Sequence, residues 1–243
     1  MFCPSFNKGS VLKQHMLEAL RDYPYTVLDV GYSAYGDGVI SGFEVTPKDG
    51  DKFEISPGIL KLNEKIYVSS QSITIDQLNE KHYVYLTIQK QDNPDGKDII
   101  ININQGLKPV ESELEIFRYT KNAEMFEYKD IGELFSKPMN RINQSYCKYS
   151  VIGGSTLHPY YLKLFGEAII DNTNATAYDV AFAYQCLNGI RNINVVNHYF
   201  KGSSSNTEIL NEMKAILDRL KKNSTVEKRH TEKIEKPKKM LIS

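Results

Sequence analysis

From Gly36 to Val68 the chain reads GDGVISGFEVTPKDGDKFEISPGILKLNEKIYV, with glycine, proline or Asp-Gly at nearly every point where a short strand must reverse. Val39, Phe43 and Val45 lie on a mostly alternating pattern. Gly42 interrupts it where a bulge or a close backbone approach fits. Lys48-Asp49-Gly50-Asp51 is turn chemistry, because Asp followed by Gly supplies the φ > 0 positions of a tight hairpin. Phe53 and Ile55 alternate into Ser56-Pro57-Gly58, a second turn, and Ile59, Leu60 and Leu62 lead to Asn63-Glu64-Lys65 and then Ile66 to Val68. The pattern predicts a meander of short strands, with Gly38, Gly42, Pro57 and Gly58 as its structural turn positions.

Around this module the periodicity changes twice. Residues 10 to 22 predict a helix, with Ser10 as N-cap, an apolar face through Met16, Leu17 and Leu20, and a stop at Pro24. From Thr26 to Tyr119 the pattern is that of strands. Tyr83, Tyr85 and Thr87 alternate with Val84, Leu86 and Ile88, Asn93-Pro94-Asp95-Gly96 turns, and Ile99, Ile101 and Ile103 resume, predicting the longest hairpin. Glu113 to Tyr119 reads as a further strand and Glu127 to Gln144 as an irregular connector. After Gly153-Gly154 the period is helical: one helix follows Pro159, and a second is capped by Thr176 with Asp179 three positions on and ends at Gly189. Its body, Val180 to Leu187, is apolar nearly all round and predicts burial. Ile193 to Phe200 adds a short third helix.

Lys201-Gly202-Ser203-Ser204-Ser205-Asn206 has the composition of a flexible linker. Ser205 and Glu208 then form a capping box, and Ile209, Met213, Ile216 and Leu220 are spaced 4, 3 and 4 apart, widened by Leu210 and Leu217. Two heptads leave two readings open: packing on the body in cis, or docking on another subunit. The linker favours the second, which makes Ile209, Met213, Ile216, Leu217 and Leu220 a candidate partner interface. The expected fold class is α+β: an N-terminal helical segment (1–24), a β-rich sandwich or barrel-like module with connector (25–150), a helical subdomain (151–200), a linker (201–206), a C-terminal amphipathic helix (207–222) and a basic flexible tail (223–243).

Three segments carry a family resemblance. Gly38 to Val45 (GVISGFEV), Ile55 to Ile59 (ISPGI) and Asn63 to Tyr67 (NEKIY) resemble the N-terminal module of tail-fibre and baseplate proteins of phages and phage-tail-like bacteriocins, with Glu64 where that family has glycine. Tyr146 to Ser150, Gly153 to Pro159 and Asp179 to Asn188 resemble tail proteins of Gram-positive phages and prophages. The resemblance implies a structural particle protein, not an enzyme. Its partners would be other baseplate or tail subunits and a tail fibre or receptor-binding protein, in several copies, assembled in the host cytoplasm and carried in the released particle. The alternative from another class is a carbohydrate-binding module reading the host surface, for which Tyr32, Tyr35 and Tyr67 offer an early aromatic cluster. A weaker alternative is enzymatic chemistry in the connector at Glu127 to Gln144.

Charge and cysteine usage narrow the choice of partner. Lys plus Arg equals Asp plus Glu at 30 each, so the chain has no global field to draw nucleic acid or an anionic membrane. Eight Lys or Arg against three Glu make residues 221 to 243 basic, but without the interleaved aromatics of a nucleic-acid site. Cys3, Cys147 and Cys186 form neither a disulfide framework nor a CxxC site, and His15, His82, His158, His198 and His230 have no metal-ligand spacing. No cofactor or metal is expected. The first ten residues lack a signal-peptide pattern. Asp49, Asp51, Asp92 and Asp95 sit in turns for backbone reasons. Gly36 to Gly42 is followed by a strand and Gly153 to Thr156 lacks a P-loop lysine, so neither predicts a phosphate loop. His158, beside Pro159, Tyr160 and Tyr161, is expected to be a packed helix-start histidine.

Overall fold

The computed structural model describes the backbone of residues 9, 11, 13–49, 52–76, 81–93, 96–106, 113–137, 140–203 and 205–234, and their side chains except those of 81–83, 87–93, 96–106 and 223–234. Helix α1 (Gln14–Gly31) leads into β1 (Gly38–Gly42), β2 (Val45–Lys48), β3 (Lys52–Ile55), β4 (Gly58–Leu62), β5 (Lys65–Ser69) and β6 (Ile73–Ile75). Then come β7 (Lys81–Asn93), β8 (Gly96–Gly106), β9 (Leu114–Thr120), α2 (Ile131–Ser136), β10 (Ile142–Asn143), β11 (Tyr149–Val151) and β12 (Gly154–Thr156). Helices α3 (Pro159–Ile170), α4 (Ala177–Leu187), α5 (Ile193–Tyr199) and α6 (Asn206–Ile234) complete the chain. Among the described residues the fold is therefore mixed α and β, with six helices and three small sheets. None of the sheets formed by the described residues closes into a barrel.

The expected meander is instead a chain that switches sheets. Strands β1, β4 and β5 belong to a five-stranded sheet of order β12-β11-β1-β4-β5, whereas β2, β3 and β6 form another. The first switch uses Gly42 and Phe43, both at positive φ (72° and 57°). This rotation buries the Phe43 ring and returns the chain in the second sheet. Pro57 and Gly58 make the return switch. A Cβ on Gly42 would lie 2.0 Å from Pro57 O, and one on Gly58 would meet the Phe43 ring at 2.5 Å, so the two crossings pass too closely for side chains. Gly38 is not a turn but the start of β1, paired with Lys61. Asn63 and Glu64 both take positive φ and close the β4–β5 hairpin, the conformation for which glycine is the usual second residue.

The β7–β8 hairpin is the longest, pairing from Tyr83↔Gly106 to Asn93↔Gly96, and the Pro94-Asp95 turn itself lies outside the described residues. Strand β1 also pairs in parallel with β11, which brings residues 149–156 back into the first β-module. The boundary expected at 150 therefore falls later. Gly153 to Thr156 is a hairpin strand and not a helix entry. A β core gathers Phe53, Phe117 and Tyr149 from several strands, while a helical core joins α3, α4, α5 and α6 with Tyr128, Ile131 and Leu134 of the former connector. That connector holds α2 and β10.

Two terminal expectations need correction. Helix α1 does not stop at Pro24 but runs through it to Gly31, and its N-cap is Lys13. The expected cap Ser10 lies outside the described residues. An internal proline costs a helix about 3 kcal/mol. Here a fixed C-terminus offsets that cost: buried Lys61 Nζ donates to Tyr32 O (3.1 Å), Ser33 O (2.9 Å) and Tyr35 O (2.7 Å), placing a cation where the helix dipole favours one. At the other end, residues 201–203 form a bonded turn, with Gly202 N–H donating to Asn197 O and Ser203 N–H to Phe200 O. Asn206 Nδ2 then donates to Ser145 O and Cys147 O, tying the start of α6 to the β part. The α6 backbone continues to Ile234, past the expected end at 222. Residues 235–243 of the basic tail lie outside the described residues.

Candidate functional site

A cavity of about 550 Å³ forms where the two cores meet. Four segments build it: 44–47, 125–128, 140–144 and 158–161. After the Phe43 switch, Glu44 is held by Ser56, whose Oγ accepts from Glu44 N–H at 3.1 Å and whose N–H donates to Glu44 O at 2.9 Å. Its carboxylate therefore stands at the rim, 58% exposed. Asn140 is buried and fixes the opposite wall, Nδ2 donating to Phe126 O at 2.7 Å and Oδ1 accepting from Ile142 N–H. Aromatic rings fill the floor edge to face: Phe126 on Tyr128 (5.1 Å between centroids), Tyr128 on Tyr161 (6.2 Å) and Tyr160 on Tyr161 (5.5 Å). Tyr160 OH donates to Tyr128 O, joining the floor to the former connector.

His158 is the pivot. It caps α3 through Nδ1, which accepts from Tyr160 N–H at 3.1 Å, and its ring packs on Tyr149 at 4.4 Å. A neutral ring that accepts at Nδ1 carries its proton on Nε2. That Nε2 faces Glu44 Oε2 at 3.5 Å, the long end of a hydrogen bond. Gln144 and Tyr128 also line the cavity, with Gln144 Nε2 and Tyr128 OH themselves buried. The hydrogen bond from His158 is the main cause that holds the Glu44 carboxyl below its ordinary value against partial burial. Burial raises the hydroxyls of Tyr149 and Tyr161 and keeps them protonated. The enclosure thus has aromatic rings on its floor and the carboxylates of Glu44 and Glu127 at its rim.

The residues singled out from sequence are placed elsewhere. Ile209, Met213, Leu217 and Leu220 are buried in the helical core of their own chain, and Ile216 packs partly buried against it. They hold α6 in cis and do not form a partner surface. Gly42, Pro57 and Gly58 belong to the strand crossings, and Gly38 opens β1. Tyr32 and Tyr35 meet edge to face at 5.1 Å, but Tyr67 is buried in the β core, so the three offer no common platform. His158 is the packed helix-start histidine expected. Glu44, Gln144 and Tyr128 carry no site motif in the sequence, and Gln144 and Tyr128 fall within the irregular connector.

Other surfaces are simpler. Helix α1 buries only Met16 and exposes Leu17, Leu20, Tyr23, Val27 and Val30, the last at 70%. Met16, Leu20, Tyr23, Val27 and Val30 follow a 4-3-4-3 spacing. Helix α4 also keeps an open face, with Tyr178 and Tyr184 about half exposed, against the expectation of full burial. A groove of about 480 Å³ between α4 and α5 is lined by Tyr178, Gln185 and His198. Burial pushes the Cys186 thiol up to about 12 and raises Cys147 too, leaving both protonated and inert. No group of three or more metal-binding side chains occurs among the described residues, and no helix there is long and apolar enough to cross a membrane. Comparison with protein-family profiles, curated proteins and solved structures finds no match.

Proposed function

We propose that this chain is a structural subunit of a contractile phage tail or phage-tail-like bacteriocin baseplate, joining baseplate parts or attaching fibres. In this reading the β part is a sandwich-like adaptor module, the helical part braces it, and the protein acts by docking and not by catalysis. It works in several copies, assembled in the host cytoplasm and carried in the released particle.

The resemblance of residues 38–45, 55–59 and 146–188 to tail proteins supports this family of roles. The observation that carries it is α1. An 18-residue helix that buries one side chain, Met16, while exposing the 3-4-3 apolar row of Leu20, Tyr23, Val27 and Val30 is costly to leave in water, and contiguous exposed apolar surface is characteristic of interaction sites. An assembly subunit has a use for such a face, because a neighbouring subunit covers it in the particle. Electron microscopy of tail particles made with and without the chain tests the proposal. Particles lacking an ordered tip or fibres are expected without it, and complete, fibre-bearing particles would refute it.

A further inference from the structure

We infer that the exposed row of α1 docks in the groove between α4 and α5 of a second copy of this chain, an inference that rests on reading α1 as an assembly face. The two surfaces are both apolar and have opposite shapes. Leu20, Tyr23, Val27 and Val30 form a ridge about 15 Å long at the rise of an α-helix, with each side chain 47% to 70% exposed. The groove is a concavity of about 480 Å³, with Phe182 and Tyr199 as its buried floor and Ala181, Gln185, Val195 and His198 along its sides. Anchors three and four residues apart on one helix face are how an amphipathic helix lies in such a groove. Ridge and groove do not meet within one chain: no residue of α1 lines the groove, and Lys61 of β4 holds the end of α1 at Tyr32, Ser33 and Tyr35.

Charge selects a second copy as the occupant. Ala19, Pro24 and Thr26, which flank the row, are uncharged, and the groove lining holds no Lys, Arg, Asp or Glu. Joining the two surfaces therefore buries no ion. Around the contact the signs are opposite. Helix α1 carries Glu18, Asp22 and Asp29 against Arg21. Helix α5 is flanked by exposed Arg191 and Lys201, and the one carboxylate of α4 and α5, Asp179, is buried and paired with Arg219. An acidic helix approaching a carboxylate-free, cation-flanked groove is steered toward it. The contact is heterologous, because the ridge of one copy meets the groove of the next, and each copy keeps one surface of each kind for a further neighbour. Repetition of such a contact closes into a ring or runs on as a filament, and so uses the chain in several copies.

The test is photo-crosslinking of the full chain with p-benzoylphenylalanine in place of Tyr23, done both on the purified protein at submillimolar concentration and in tail particles, with the adducts mapped by mass spectrometry. Adducts between copies are expected at residues 178–198. Ala181→Glu, at an exposed position of the groove, should lower their yield about tenfold while the melting temperature stays that of the parent, because the new charge is desolvated only when a second copy docks. Adducts joining α1 to α1, adducts in particles to a different protein only, or no adduct between copies would each overturn the inference. A crosslink to a different protein would leave the assembly role of α1 standing. Adducts between purified copies together with particles that are complete without the chain would instead uphold the contact and refute that role.

Discussion

Arg219 Nη2 of α6 lies 2.8 Å from Oδ1 and 2.9 Å from Oδ2 of Asp179 in α4, forty residues earlier in the chain. Asp179 is 2% exposed and also accepts from Thr176 N–H, Thr176 Oγ1 and Tyr199 OH. One carboxylate thus ties α4, α5 and α6 together. Tyr199, which it orients, stacks on Phe182 at 3.8 Å.

Burial opposes the charge on Asp179, yet the bonds from Thr176, Tyr199 and Arg219 outweigh it and hold the carboxyl below its ordinary value. A carboxyl depressed on folding adds stability above its unfolded pKa of about 3.9, and the stability is lost as pH falls through the lower folded value. Melting temperature should therefore be insensitive to this group at neutral pH and drop below about pH 4. Asp179→Asn should cost on the order of 3 kcal/mol at pH 7 and flatten that acid limb. Thermal melts of both proteins between pH 2 and 7 check this, and identical acid limbs would count against it.

Met213 is fully buried in the helical core. Met213→Ala should lower the stability of the isolated chain by about 2–4 kcal/mol, in the range of large-to-small core changes. Chemical denaturation reads this directly. A variant as stable as the parent but unable to enter particles would restore the partner-docking reading of the α6 seam.

Gly42→Val places a Cβ on a backbone oxygen and a β-branched residue at φ +72°. A loss of at least about 2 kcal/mol is expected, by denaturant melts, because both terms must be relieved by moving the strand crossing. Equal stability would show that the crossing relaxes freely.

Lys61→Met keeps the stem but removes the three bonds that hold the end of α1. A loss of about 2 kcal/mol is expected, with faster amide exchange in residues 26–31 than in the β core. Unchanged exchange in α1 would mean that Lys61 does not anchor it.

Much of the local structure was legible because its causes are local. The capping boxes at Thr176/Asp179 and Ser205/Glu208, the long hairpin around 93–96 and the stop at Gly189 each depend on residues within a few positions of one another. What covers an apolar face is not a local property. The same kind of 4-3 spacing marks α6, which is buried in cis, and α1, which is open, and only long-range partners such as Arg219–Asp179 and Lys61–Tyr35 separate the two cases. Sheet switching was hidden for the same reason, since Gly42 and Gly58 announce a turn but not which sheet receives the chain. The candidate site was the least legible part. Glu44, Gln144 and His158 are distant in sequence and meet only because β1 pairs with β11 across the module.

The measurement closest to the central claim is the copy number of this chain in purified tail particles, obtained by quantitative mass spectrometry against the tube subunit. The parent chain should be present at a small fixed ratio, and a Leu20→Glu, Val27→Glu chain, altered only on the exposed face of α1, should fold and yet be missing. Particles complete without the parent chain, or loaded equally with the α1 variant, would contradict the account.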